Sequence, residues 1–256
     1  MAVHDSSSQR LFLAAPLAAG SRISCDGEQA NYLLNVLRLG AGDDILVFNG
    51  RDGEWRAAVT PIGKRGAALD ITEQTRAQVG GPDIHYLFAP LKRARLDYMV
   101  QKATELGVAR LVPVLTRRTV PERINIDRLR ANTIEAAEQC GILRVPDIAE
   151  AAKLEQILKH WDGARRLIFC DEGAAVGNPI AVLQQAFGQD RATSSNSGPA
   201  VAVLVGPEGG FDPSERETLL AKPFTVPISL GPRIMRADTA AIAALAVVNA
   251  AIGDWS

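Results

Sequence analysis

Residues 200–213 read AVAVLVGPEGGFDP, and the fold turns on them. An unbroken apolar run rich in valine describes a strand buried on both faces, as in a parallel sheet covered by helices. Glycines at 206, 209 and 210 then interrupt it. Asp212 followed by Pro213 is a helix start, with Asp212 as N-cap and Pro213 at the first helical position. The carboxyl end of a parallel strand is where open α/β sheets receive ligands, and glycines there let a ligand approach the backbone. The spacing is not the GxGxxG of a dinucleotide site. No GxxxxGK[ST] occurs anywhere in the chain, which argues against a P-loop NTPase.

The same alternation extends outward. Strands are expected at 84–88, 109–115, 166–170, 200–205 and 225–230, and helices at 93–106, 127–140, 179–187, 213–221 and 237–252. Residues 188–199 form a Ser/Gly-rich loop. Strands separated by helices predict a mostly parallel α/β sheet covered on both faces. Residues 230–239, LGPRIMRADT, again leave a strand and open a helix, with Arg233 and Arg236 beside Asp238 and Thr239. The helix that follows, AAIAALAVVNAAIG, is apolar almost all round, so it belongs in a core or a subunit interface. Charges at its mouth then face a pocket or a neighbouring subunit. Arg117-Arg118-Thr119 follows the strand LVPVL and shares the same rim of the sheet. Glu135 and Glu138 share a helix face and read as solvated surface, and Cys140 lacks the nearby histidine a nucleophile needs.

The front of the chain has a different rhythm. Strands are expected at 10–13, 44–49, 54–60 and 67–72, with one short helix at 28–39. Together they predict a small barrel-like β domain. Residues 74–82, QTRAQVGGP, are polar and carry a Gly-Pro break, which makes them the best boundary. Two domains follow, 1–76 and 77–256. Arg10 and Arg38 punctuate the first, where each either touches phosphate or caps a helix.

Charge is uneven. The chain carries 28 basic and 29 acidic residues, yet residues 92–130 hold 10 basic ones (Lys92, Arg93, Arg117, Arg118 and Arg123 among them) against 4 acidic. A basic stripe on a neutral protein is the footprint of a polyanion, and its arginines suit phosphate and base stacking. Cys25, Cys140 and Cys170 are too scattered for a disulfide framework or a zinc cluster, and His4, His85 and His160 match no metal spacing. No apolar run reaches the roughly 18 residues of a membrane helix. The opening MAVHDSSSQR has no apolar signal core. A cytoplasmic protein without membrane or metal is expected.

Seven segments carry a family resemblance: RLFL, NYLLNVLRL, APLKRARLDYMVQKATELGV, LVPVLTRRTV, IEAAEQCGILRVP, LVGPEGGF and LGPRIMRADTA. In this order they resemble ribosomal RNA small subunit methyltransferase E, the 16S rRNA (uracil-N3)-methyltransferase family of the SPOUT class. The resemblance spans nearly the whole chain. One departure is Asp238, where the family usually has a glutamate one methylene longer. The resemblance implies a PUA-like RNA-binding β-barrel domain and a SPOUT α/β domain with a trefoil knot. It implies a homodimer acting on 16S rRNA of the small ribosomal subunit, with S-adenosylmethionine as methyl donor. By motif, the cofactor would lie against Leu204, Gly206, Glu208, Gly209, Gly210, Leu230, Gly231, Met235 and Thr239.

Uridine N3 is an imide nitrogen engaged in base pairing, so the base must be unpaired or splayed out. Its proton must leave before or during methyl transfer. Arg236 or Arg233 would stabilise the uracil anion through its carbonyl oxygens, and Asp238 is the nearest candidate base. Arg10, Arg38, Lys92, Arg93, Arg117 and Arg118 are the candidate RNA contacts. Two other readings stay open: methylation of another base or a ribose 2′-hydroxyl, and a non-catalytic rRNA-binding assembly factor.

Overall fold

The computed structural model describes residues 9–63, 65–119, 124–188 and 198–255. His4, the opening segment up to residue 8, Arg123 of the basic stripe and residues 189–197 of the Ser/Gly-rich loop lie outside the described residues. Contacts divide the chain into two compact units: Met1–Val79 with Ala137–Val145, and Gly80–Ala136 with Pro146–Ser256.

In the first unit, strands β1 (Arg10–Phe12), β2 (Arg22–Ser24), β3 (Asp44–Phe48), β4 (Glu54–Ile62) and β5 (Gly66–Arg76) lie in the order β1-β3-β4-β5-β2. The β1–β3 pair is parallel and the others antiparallel. Alternate residues Ile45 and Val47, Ala57 and Val59, and Ala67, Leu69 and Ile71 point into one core. Strand β2 escaped the sequence reading because three residues carry too little pattern. Strand β5 runs to Arg76, through the first part of the expected linker.

Helix α1 is short, Gly27–Asn31. It is capped by Asp26, whose side chain accepts from Gln29 N at 2.8 Å while the Gln29 side chain accepts from Asp26 N. The expected helix to residue 39 instead widens into a π-helical turn, Tyr32–Val36. Tyr32, Leu33, Leu34, Leu37 and Leu39 all pack on the core, which is more than one α-helical stripe turns inward. Arg38 closes the turn with a φ of 58°, and Leu39 N donates to Leu33 O at 2.9 Å.

A buried ion cluster corrects one expectation in this unit. Arg10 is 4% exposed and does not face RNA. Its Nε donates to Glu54 Oε2 at 2.9 Å, and its Nη1 and Nη2 donate to the carbonyls of Ala137 (2.6 Å) and Ile142 (3.3 Å). Arg76 donates to Glu54 Oε1 at 2.8 Å and to Gly141 O at 2.9 Å. Carbonyls left over at a helix end attract cations, so capping, the other reading of Arg10, is its structural role. Burial would raise the Glu54 carboxyl, but the hydrogen bonds and charge of Arg76, with the charge of Arg10, hold it below the usual range. Glu138 is likewise engaged, accepting from Phe12 N at 2.8 Å, while Glu135 is exposed.

The second unit contains strands β6 (Ile84–Phe88), β7 (Arg110–Leu115), β8 (Asp147–Ile148), β9 (Ala152–Lys153), β10 (Arg166–Cys170), β11 (Val201–Val205) and β12 (Thr225–Ile228). Its helices are α2 (Arg93–Glu105), α3 (Ile126–Gln139), α4 (Leu154–Lys159), α5 (Pro179–Phe187), α6 (Pro213–Leu220) and α7 (Ala237–Ile252). The strands run in the order β12-β10-β11-β6-β7-β8, with β9 also on β7, and every pairing is parallel. Ile84, Tyr86, Phe88, Val201, Val203 and Val205 face α2, α5 and α7. Leu87, Ala202, Leu204, Leu167 and Phe169 face the opposite way, onto Leu154, Leu158 and Leu219. Both faces are covered, as the valine-rich strands predicted. Strands β8 and β9 and helix α4 went unread because they are too short for periodicity. Among the described residues no helix is long and apolar enough to cross a membrane.

His85, on β6, is expected to make stability depend on pH. Burial, and then the charge of Arg165, push it down to about 4, although Asp83 lies 3.6 Å away. The unfolded chain takes up this proton near pH 6.5, whereas the folded chain refuses it until about pH 4. Stability is therefore complete above pH 6.5 and is lost as pH falls towards 4, by about 3 kcal/mol in all. Urea denaturation of wild type and His85→Gln at pH 7 and pH 4.5 checks this: the variant should lose less stability on acidification. An identical loss would contradict it.

Candidate active site

The carboxyl ends of β10, β11 and β12 enclose a cleft of about 360 Å³. Its walls are three loops, and the sequence explains the shape of each. After β11, Gly206 lies under the Phe211 ring, and a Cβ there would come within 2.5 Å of it. Phe211 in turn packs edge-on against Phe169 of β10, with ring centres 5.1 Å apart. Gly210 has a φ of 68° and donates from N to Pro207 O at 2.9 Å, closing a tight turn. After β12, Gly231 has a φ of 107° and donates to Ser229 Oγ at 3.2 Å.

After β10, Asp171 ties the walls together. Its N donates to Ile228 O at 3.0 Å, and its carboxylate accepts from Gly173 N at 3.0 Å. Arg216 of α6 donates to the same carboxylate from Nε (2.9 Å) and Nη2 (2.8 Å), a two-pronged pair across the cleft wall.

Helix α6 starts as predicted. Asp212 accepts from Ser214 N, and Glu215 closes the capping box. Hydrogen bonds from Ser214 hold the Asp212 carboxyl below the usual range. Buried Glu215 also accepts from Arg117 N at 2.9 Å, which fixes the turn after β7. Arg118 is thereby set on the cleft, where its Nη1 donates to Gly209 O at 2.9 Å. Arg95 of α2 forms an ion pair with Glu208 at the rim.

The structure brings together most of the expected cofactor residues. Gly206, Glu208, Gly209, Gly210, Leu230, Gly231 and Met235 all line the cleft. Leu204 does not: it is fully buried in the core on one face of the sheet, because alternation turns its side chain there and Val205 to the other. Thr239 sits exposed on the first turn of α7, outside the lining. Of the two arginines, Arg233 lines the cleft, whereas Arg236 is the exposed N-cap of α7 and does not. Asp238 accepts from Thr239 N at 2.9 Å and is also outside the lining.

Among the expected RNA contacts, Lys92, Arg93 and Arg38 are exposed. The Arg117 side chain is held by Ser214 (2.8 Å) and Asp212 (3.4 Å). Asp171, Glu172, Gly173 and Arg216 line the cleft and were missed. The signal was available, since LIFC followed by DEG is another strand ending in a glycine turn. Among the described residues no group of His, Cys, Asp and Glu is arranged to hold a metal ion.

This geometry agrees with comparisons to known proteins. The family described as an RNA methyltransferase domain matches residues 80–249, and an RNA methyltransferase PUA domain matches residues 26–72. Ribosomal RNA small subunit methyltransferase E of Rickettsia conorii is 33% identical over 241 residues, 94% of each chain. The Synechocystis protein of the same name is 31% identical, over 94% of this chain and 77% of its own. A solved structure of ribosomal RNA small subunit methyltransferase E from Neisseria gonorrhoeae, bound to S-adenosyl methionine, is 25% identical. It superposes with a TM-score of 0.81 over 97% of this chain and all of its own. The chain belongs to the ribosomal RNA small subunit methyltransferase E family.

Proposed function

We infer that the protein methylates N3 of one uridine in 16S rRNA of the small ribosomal subunit, with S-adenosylmethionine as donor. The observation that carries the reading is the cleft at the carboxyl ends of β10–β12, walled by the GPEGG and LGPRIM loops. Its residues fit that cofactor. Gly206, Gly209, Gly210 and Gly231 offer close backbone approach, Val205, Leu230, Met235 and Ala240 offer apolar contact for a purine, and Glu172 offers a carboxylate to a cation.

Bound there, the cofactor supplies a methyl group activated by its sulfonium charge. The chain's own task is to present uracil N3 as an anion. Of the two arginines in the LGPRIMRADT segment, Arg233 lines the cleft, which supports it as the donor to a uracil carbonyl oxygen, where negative charge develops. Asp238 accepts from Thr239 N and lies outside the cleft lining, so the N3 proton passes to solvent water and the chain's contribution is stabilisation of the resulting anion by arginine. Lys92, Arg93 and Arg118 on the second unit, and Arg38 on the PUA-like unit, are the candidate phosphate contacts.

The half-buried residues Ile242 and Ala246 of the apolar helix α7 support a homodimer. The passage of the chain from β11 across β10 to β12 supports the trefoil knot that the family resemblance implies. An rRNA substrate and the absence of a disulfide framework fit the cytoplasm.

The test is incubation with labelled S-adenosylmethionine and small subunits from a strain lacking the gene, followed by nucleoside analysis. N3-methyluridine at a single position is expected. A methylated ribose would overturn the base assignment. No transfer to subunits or to free rRNA, with no cofactor binding, would favour the non-catalytic RNA binder.

A further inference from the structure

Three carboxylates line the cleft: Asp171, Glu172 and Glu208. Two are neutralised within the protein. Asp171 takes both prongs of Arg216, and Glu208 pairs with Arg95. Glu172 makes no ion pair or hydrogen bond among the described residues, although it lines the cleft and its Oε2 lies 3.7 Å from where a Cβ on Gly210 would sit. It follows Asp171, whose backbone and side chain are both fixed, so the loop that presents it is rigidly held.

We propose that Glu172 is the specificity-determining carboxylate that makes this cleft prefer the methyl donor over the demethylated product. The proposal rests on the cofactor reading above. The donor carries a sulfonium, an ammonium and a carboxylate, so its net charge is +1. The product, S-adenosylhomocysteine, is a thioether and is neutral overall. Shape and hydrogen bonding are almost the same in the two, so charge is the property by which a site can tell them apart. A carboxylate without its own counter-ion, in a cleft whose other acids are already paired, is attracted to the extra positive charge. It has no such attraction for the product. Each methyl transfer removes the charge that Glu172 favours, which promotes product release. The cleft cations Arg118 and Arg233 act in the opposite sense on the donor. Removal of Glu172 should therefore lower the preference for the donor, whereas removal of either arginine should not.

The experiment is calorimetric titration of the full-length protein with S-adenosylmethionine and, separately, with S-adenosylhomocysteine, for wild type, Glu172→Gln and Glu172→Asp. Binding, not turnover, is the readout. In Glu172→Gln the preference for donor over product should fall about threefold to tenfold, chiefly by weaker donor binding, as expected for one charge pair near a polar surface. Glu172→Asp should retain part of the preference. The wild-type preference should also shrink between about 0.1 M and 1 M salt, as the Debye length falls from ~10 Å to ~3 Å. Equal weakening of both ligands in Glu172→Gln, or no change in either, would overturn the charge role while leaving the cofactor reading intact. Wild-type protein that binds neither ligand would overturn both.

Discussion

Alanine in place of Glu54 is expected to cost the protein about 3–5 kcal/mol of stability. Glu54 is 3% exposed and sits between two guanidinium groups. Its removal leaves Arg10, at 4% exposure, as a buried charge whose remaining partners are neutral carbonyls, the Phe48 ring and the charge of Glu138, with which it makes no side-chain pair. The double replacement Arg10→Met with Glu54→Leu should cost less than Glu54→Ala, because it removes the more deeply buried guanidinium together with its counter-charge and leaves only Arg76, whose side chain is partly exposed. Urea denaturation followed by circular dichroism measures both. A loss below about 1 kcal/mol for Glu54→Ala would mean that the cluster is hydrated and contributes no more than a surface pair does.

The second large effect is on chemistry. Arg233→Ala is expected to lower kcat by about 10²–10³, the usual loss when one donor to a developing oxyanion is removed. Affinity for S-adenosylmethionine should not fall, because the arginine acts on the base being methylated and its own charge opposes that of the donor. Arg236→Ala should have a smaller effect, since its side chain lies outside the cleft lining. Arg233→Lys should restore little, because an ammonium does not reproduce the planar donor fork. Single-turnover transfer to small subunits, alongside cofactor titration, separates the roles. If Arg233→Ala weakened cofactor binding and left kcat intact, its task would be to hold the cofactor.

Much of the site was legible in the sequence because it is built from local rules. A valine-rich strand, a glycine where the backbone must bend, and an Asp-Pro helix start each depend on neighbours within a few residues. The backbone bends at Gly206–Gly210 and Gly231 are therefore legible in the sequence. So is the two-sided burial of β11, because a strand without polar alternation has no face to offer water. The change of apolar period after residue 76 suggests two domains, whereas the compact units add Ala137–Val145 to the first through contacts that no local pattern announces.

Other features came from contacts across the chain. Arg10 has a phosphate-binding composition, and only the arrival of Ala137 and Ile142, more than 120 residues later, makes it a buried cap. Asp171 joins the cleft through Arg216, 45 residues away, and among the described residues Glu172 is the cleft acid that no such pair engages. Leu204 and Val205 are adjacent and equally apolar, yet the sheet turns them to opposite faces and only Val205 meets the cleft. Local sequence determined where strands end and loops bend, because those choices are made by backbone sterics and nearby hydrogen bonds. Tertiary structure alone decided which charges are buried, paired or left facing a ligand, because a charge's energy depends on the groups that surround it and on whether water still reaches it.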